Sequence, residues 1–198
     1  MILHTQNIYL LELIISSSGS IIFLRSSFQS GVERKIQLYE SRRCASGVVF
    51  DQKSLWLIGG FDDKGNAMTS TEFISLDHPP EKGPKLPINL CLFSAIQIDS
   101  KTIYLIGGHH FFRNQVMNGQ VAINRTWTID PTNNFELKEG PPLKQTIGVN
   151  SCATMRFNNK IFIVVVGKYN PNSVEILDTS MPSNGWKLGM YFLFGPQN

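Results

Sequence analysis

The chain has 198 residues, 42% of them hydrophobic and 17% charged, with 16 glycines, a composition inside the ordinary range of globular domains. That length is enough to bury a core without disulfide or metal staples. Lys plus Arg (18) against Asp plus Glu (15) leaves a net charge of +3 scattered along the chain, which argues against a phosphate-tracking surface and against nucleic acid as the main partner.

In chain order, residues 1–40 come first as a diverged strand-rich segment with a signal-like start. Ile8 to Ile15 is apolar apart from Glu12, and Ser16-Ser17-Ser18-Gly19-Ser20 offers the small residues of a cleavage site, but the first seven residues carry no Lys or Arg. Strand-like pieces follow at 21–24 and 35–39. No run reaches the roughly 18–20 apolar residues of a membrane span, so no membrane span is expected. The chain is expected in the cytoplasm, or outside the cell if residues 1–20 act as a signal peptide. Only in the second case does the acceptor pattern Asn124-Arg125-Thr126 bear on glycosylation.

From residue 41 onward the sequence repeats, with units at 41–92, 93–150 and 151–198, the last ending short. Ser46 to Gly60 (SGVVFDQKSLWLIGG), Ser94 to Gly108 (SAIQIDSKTIYLIGG) and Ala153 to Gly167 (ATMRFNNKIFIVVVG) superpose. Each reads as an apolar strand, a polar turn at 51–54, 99–102 or 158–160, and a second strand ending at glycine: a β-hairpin. A third strand ending in Asp follows at 70–77, 124–130 and 173–178. A fourth, eroded segment keeps Gly83-Pro84-Lys85-Leu86-Pro87 in the first unit, Phe135 and Gly140-Pro141-Pro142-Leu143 in the second, and Trp186 in the third. Cys44, Cys91 and Cys152 lie 15, 16 and 14 residues before Gly59, Gly107 and Val166. That spacing reads as one thiol per repeat at equivalent positions, too far apart to pair.

Leu55-Trp56-Leu57-Ile58 and Ile103-Tyr104-Leu105-Ile106 have no polar face, so both faces of these strands are expected to be buried. Small four-stranded sheets stacked face to face around an axis meet that demand, and a unit of about 40–50 residues has the right length. Glycine at the strand end permits close approach and positive φ.

These residues resemble the kelch repeat. The paired glycines stand at Gly59-Gly60 and Gly107-Gly108, the third-strand Glu at Glu72 and Glu175, and the late aromatic at Phe135 and Trp186. The third unit has only Val166-Gly167 at the pair, and the second carries Thr126 where the Glu is expected. The resemblance implies an all-β, kelch-type propeller sector of three to four four-stranded antiparallel blades in an incomplete ring. An open ring would belong to a fragment of a longer protein, to a truncated product without independent function, or to a chain that self-associates through its open blade faces.

A search for catalytic constellations returns none: no G-x-S-x-G, H-E-x-x-H, P-loop or G-x-G-x-x-G. Some kelch propellers are copper oxidases with Tyr and His ligands, but no motif here maps onto those ligands, so no metal and no cofactor is expected and the chain reads as a non-enzyme. Metal-dependent turnover would overturn that reading. His109-His110 reads as a solvated loop pair, and Asp62-Asp63 as a charged loop tip without the spaced oxygens calcium needs.

Strand order places the loops between second and third strands at the same end as the connections between blades. These loops vary most, so a protein partner is expected there. The candidate residues are Phe61, Asp62 and Asp63 in the first loop, His109, His110, Phe111, Phe112 and Arg113 in the second, and Lys168 and Tyr169 in the third. The resemblance implies a scaffold or adaptor role, although no BTB-like helical region precedes the repeats.

Overall fold

The computed structural model describes residues 11–15, 21–26, 33–49, 54–75, 78–114, 117–148, 150–167 and 174–189. They form five antiparallel sheets. The N-terminal sheet is β1 (Leu11–Ile15), β2 (Ile21–Ser26) and β3 (Glu33–Gln37). The first blade is β4 (Ser46–Val49), β5 (Ser54–Ile58), β6 (Thr71–Ser75) and β7 (Glu81–Lys82). A short strand, β8 (Leu90–Cys91), precedes the second blade, whose β9 (Ser94–Asp99) and β10 (Thr102–Ile106) form its opening hairpin. An inserted hairpin follows, β11 (His109–Asn114) and β12 (Met117–Ala122), before β13 (Thr126–Asp130) and β14 (Glu136–Glu139) complete that blade. The third blade is β15 (Asn150–Phe157), β16 (Lys160–Gly167), β17 (Val174–Asp178) and β18 (Lys187–Leu188), with a 3-10 turn at Pro182–Asn184.

Each blade runs in simple up-and-down order, and the fourth strand is the shortest or among the shortest, in keeping with the erosion in its sequence. The third hairpin turns on Asn158-Asn159, whose φ values of 48° and 58° are those of a type I′ turn. Residues 51–53 of the first turn lie outside the described residues, but Val49 pairs with Leu55 across it.

The blades stack as the sequence demanded. Side chains alternate between faces along a strand, so Leu55 and Leu57 pack with Ile36 and Leu38 of the N-terminal segment, while Trp56 and Ile58 pack with Ile103 and Leu105 of the second blade. One blade further on, Tyr104 and Ile106 pack with Ile163 and Val165 of the third. The central strands of the first two blades, β5 and β10, carry no polar face because each is sandwiched between sheets. The result is an incomplete, propeller-like all-β arc.

Backbone bonds tie the end of the central strand to the lead-in of the next blade in the first and second blades. Gly60 donates its N–H to the Leu90 carbonyl at 2.9 Å, and Gly108 donates to the Ile147 carbonyl at 2.9 Å. These glycines have φ of +99° and +91°. A Cβ on Gly60 would lie 2.6 Å from the Arg43 carbonyl oxygen, and one on Gly108 would lie 2.5 Å from Phe93 Cβ, so other residues would be strained and crowded there.

Strand register corrects three alignments. Ser46 and Ser94 face the last residue of their central strand, Ile58 and Ile106, and Ser151 faces Val166, one before the end of β16. Val166 therefore matches Ile58 and Gly167 matches Gly59, one residue off the superposition of 153–167 on 46–60, and Cys44 matches Leu92, Cys91 matches Arg43 and Cys152 matches Ala95. The three thiols are therefore not equivalent; Cys44 is exposed, Cys91 buried and Cys152 half-buried. Likewise Thr71 and Thr126 both pair with that last residue, Ile58 and Ile106. Each donates its hydroxyl at 2.7 Å to a proline carbonyl, Pro84 or Pro141. The residue standing where the first and third blades have Glu72 and Glu175 is Trp127, not Thr126.

Candidate interaction face

The end of the arc that carries the second-to-third connections is built on the lead-in segments. In the first blade the connection is a short hairpin: Arg43 and Phe61 exchange backbone bonds at 2.9 and 2.7 Å, and Phe61 bridges Ala67. Phe61 is half-buried by this pairing rather than projecting as an anchor. The tip is an Asp62-centred turn. The Asp62 carboxylate accepts the N–H groups of Lys64 (2.9 Å) and Asn66 (2.7 Å) and the Asn66 side-chain amide (2.8 Å), and the last of these contributes most to holding its pKa below the ordinary carboxylate value. Asp63 is exposed and accepts the Ser41 hydroxyl at 2.5 Å.

Between this turn and the preceding lead-in lies an open cleft of about 610 Å³, whose lining includes Glu40, Ser41, Asp63, Asn66, Met68 and Lys85. Of the lining residues, Asp63 and the neighbouring Asp62 were singled out from sequence. The signal for Glu40 and Ser41 was the topology itself, which places inter-blade connections beside the second-to-third loops.

Beneath the cleft lies a buried ionic anchor that sequence reasoning missed. Arg42 is fully buried; its guanidinium donates to the carbonyls of Gly59 (3.0 Å) and Ser70 (2.9 Å) and to Glu72 Oε1 at 2.6 Å. Glu72 also accepts the backbone N–H groups of Tyr39 (2.9 Å) and Glu40 (3.2 Å). In the third blade, Glu175 accepts the N–H groups of Lys144 (2.8 Å) and Gln145 (2.9 Å) at the matching lead-in positions. Burial raises the Glu175 pKa, and the two donors oppose that rise. In the second blade the first matching lead-in residue is Pro87, which has no N–H to donate, and the acceptor is replaced by the buried Trp127. Loss of the donor and loss of the carboxylate go together.

The second blade's connection is drawn out into the β11–β12 hairpin, paired residue for residue from His109–Ala122 to Asn114–Met117. β11 also pairs with β8, making the three-stranded sheet β12-β11-β8. His109 was expected in a solvated loop. It is instead only 4% exposed, opposite Cys91, and burial lowers its pKa, so its imidazole is neutral at pH 7. His110 is half-buried with Nδ1 3.2 Å from the Asn89 carbonyl oxygen. Phe111, Phe112 and Arg113 belong to the regular strand β11 rather than to an irregular loop; their side chains, like all of Lys168 and Tyr169, lie outside the described residues. Val121, on β12, is 49% exposed.

The face is thus made of backbone-paired hairpins with half-buried polar groups. Among the described residues no cluster of three or more His, Cys, Asp or Glu side chains is arranged to hold a metal ion.

No protein-family model matches the chain, and no curated protein matches it. Among solved structures it is similar to that of YjhT, at 13% sequence identity and a TM-score of 0.64, over 88% of this chain and 60% of that one. The similarity shows a shared fold, and the chain spans 60% of the length of that structure.

Proposed function

We propose that this chain is a kelch-type, non-catalytic interaction module that binds a protein partner at the end of the arc bearing the second-to-third connections. The observation that carries this reading is the β12-β11-β8 sheet. The same connection that closes in a short turn between Phe61 and Ala67 in the first blade becomes, in the second, a hairpin of six paired positions standing on the lead-in strand. A rigid scaffold that lengthens one connection into an ordered hairpin suits recognition more than packing. The repeated lead-in bonds, the glycine joints and the Glu72 and Glu175 anchors support the kelch resemblance.

A graft tests the reading. Replacing 110–121 with the first blade's turn (62–66) keeps the joint and removes the platform. A partner identified by crosslinking to the native chain should then be lost, while Val49→Glu, on an exposed position of β4, should retain it. Retention by the graft, or metal-dependent turnover by the native chain, would overturn the proposal.

A further inference from the structure

We propose that Cys44 and Cys91 are a redox pair, which a small-molecule disulfide of the glutathione type oxidises to an internal disulfide that staples the lead-in of the first blade to β8, the lead-in strand of the second. Equivalence in successive blades was the reason for holding these thiols apart, and the register removes it, since Cys91 matches Arg43 rather than Cys44. Segments 43–45 and 90–92 converge on the Gly60 joint. Gly60 donates its N–H to the Leu90 carbonyl at 2.9 Å, Phe61 donates to the Arg43 carbonyl at 2.7 Å, and the two segments bond each other directly, Leu92 N–H to the Cys44 carbonyl at 3.2 Å. Standard bond lengths along that last link leave the Cα atoms of Cys44 and Cys91 at most about 8 Å apart. A disulfide spans about 4.4–6.8 Å between Cα atoms, so closure asks for little more than about 1 Å of movement at the outside. Cys44 and Leu92 are bends outside any strand, with φ of +54° and +55°, and a movement there need not unpair a ladder.

The two thiols differ in the way a stepwise oxidation needs. Cys44 is exposed, whereas Cys91 is 0% exposed with its Sγ 3.6 Å from the His109 carbonyl oxygen. Burial first, and then the charge of Cys44, push the Cys91 thiol up to about 12. Cys44 is therefore the group that meets the oxidant. As a thiolate it attacks one sulfur of the small disulfide: a mixed S–S bond forms, the reagent's own S–S bond breaks, and one reagent thiolate leaves. Cys91 then gives up its proton to that thiolate, its sulfur attacks the Cys44 sulfur, and the second reagent thiol departs. Two protein thiols have lost two electrons and two protons, and the reagent has become two thiols. The second step is the slow one, because only a thiolate attacks and Cys91 is buried and protonated. Closing the bond turns the Cys91 sulfur away from the His109 carbonyl, at the two-residue seat where β11 pairs with β8, so the staple acts on the base of the β11–β12 hairpin.

The test treats the folded 198-residue chain with glutathione disulfide, alkylates the remaining thiols and maps the linked peptides by mass spectrometry. A glutathione adduct on Cys44 is expected first, then a Cys44–Cys91 disulfide within one chain, with Cys152 left to alkylate. At equilibrium in a glutathione redox buffer, about 8 M urea should lower the constant for that link at least about tenfold, because the folded joint sets the effective concentration of the two thiols. Cys91→Ser should stop at the adduct on Cys44, Cys44→Ser should leave Cys91 unmodified in the folded chain, and Cys152→Ser should link as the native chain does. Should Cys91→Ser lose its β circular dichroism, the native map and Cys44→Ser, at an exposed position, decide. An adduct on Cys44 that never resolves in the native chain overturns the proposal. So does a link to Cys152, an adduct on Cys91 in folded Cys44→Ser, or an equal constant with and without urea.

Discussion

Arg42 and Glu72, thirty residues apart in sequence, meet at 2.6 Å with side chains 0% and 1% exposed. Removing one partner of a buried pair strands the other's charge. Arg42→Leu is expected to lower the unfolding free energy by about 3 kcal/mol. Adding Glu72→Gln should cost less than the two single changes summed, by at least about 1 kcal/mol. Urea titrations of the three variants check this; strict additivity would mean that the pair is not coupled.

Gly59 has φ of +58°, and a Cβ there would sit 2.4 Å from the Leu90 carbonyl oxygen. Gly65 has φ of +77° but open space around it. Gly59→Ala is therefore expected to cost about 2–4 kcal/mol, from backbone strain plus collision, and Gly65→Ala about 1 kcal/mol from strain alone. Thermal unfolding should rank them in that order.

Burial holds the pKa of His109 below its ordinary value of 6.5. The unfolded chain therefore takes up this proton at a higher pH than the folded one. The resulting stability is complete above about pH 6.5 and is lost as pH falls toward the lower folded-state value. The melting temperature should drop between about pH 7 and pH 5.5, and His109→Asn should flatten that drop. An unchanged slope in the variant would assign the pH dependence to other groups.

Asn158 and Asn159 both hold positive φ in the turn between β15 and β16. Glycine is the favoured second residue of such a turn, so Asn159→Gly should raise stability by about 0.5 kcal/mol, while Asn159→Val should lower it by about 1–2 kcal/mol. Equal melting temperatures would exclude a role for this turn in stability.

Some of this protein was plain from its residues. The runs 55–58 and 103–106, apolar on both sides of a period-two pattern, required sheets on both faces, and the paired glycines marked the strand ends. Such features depend on neighbours a few residues away. The strand-terminal aspartates are of the same kind: Asp130 and Asp178 accept the N–H and hydroxyl of Thr132 and Ser180, two residues on, at 2.5–2.9 Å.

Other features depended on contacts between distant segments. Counting back from the glycines aligned three cysteines that the strand register separates, because a one-residue difference in a lead-in moves a side chain to the other face. Thr126 was matched to Glu72 for the same reason. The burial of Arg42 and Glu72 follows from segments about thirty residues apart converging at one joint, and that of His109 from β11 pairing with β8 across a connection whose length no local pattern reveals. The sequence by itself determined the blade strands, their turns and the need to stack them. Only the tertiary structure decided which polar side chains the stacking would enclose, since that depends on how connections of unequal length bring each blade's lead-in against the strand end before it.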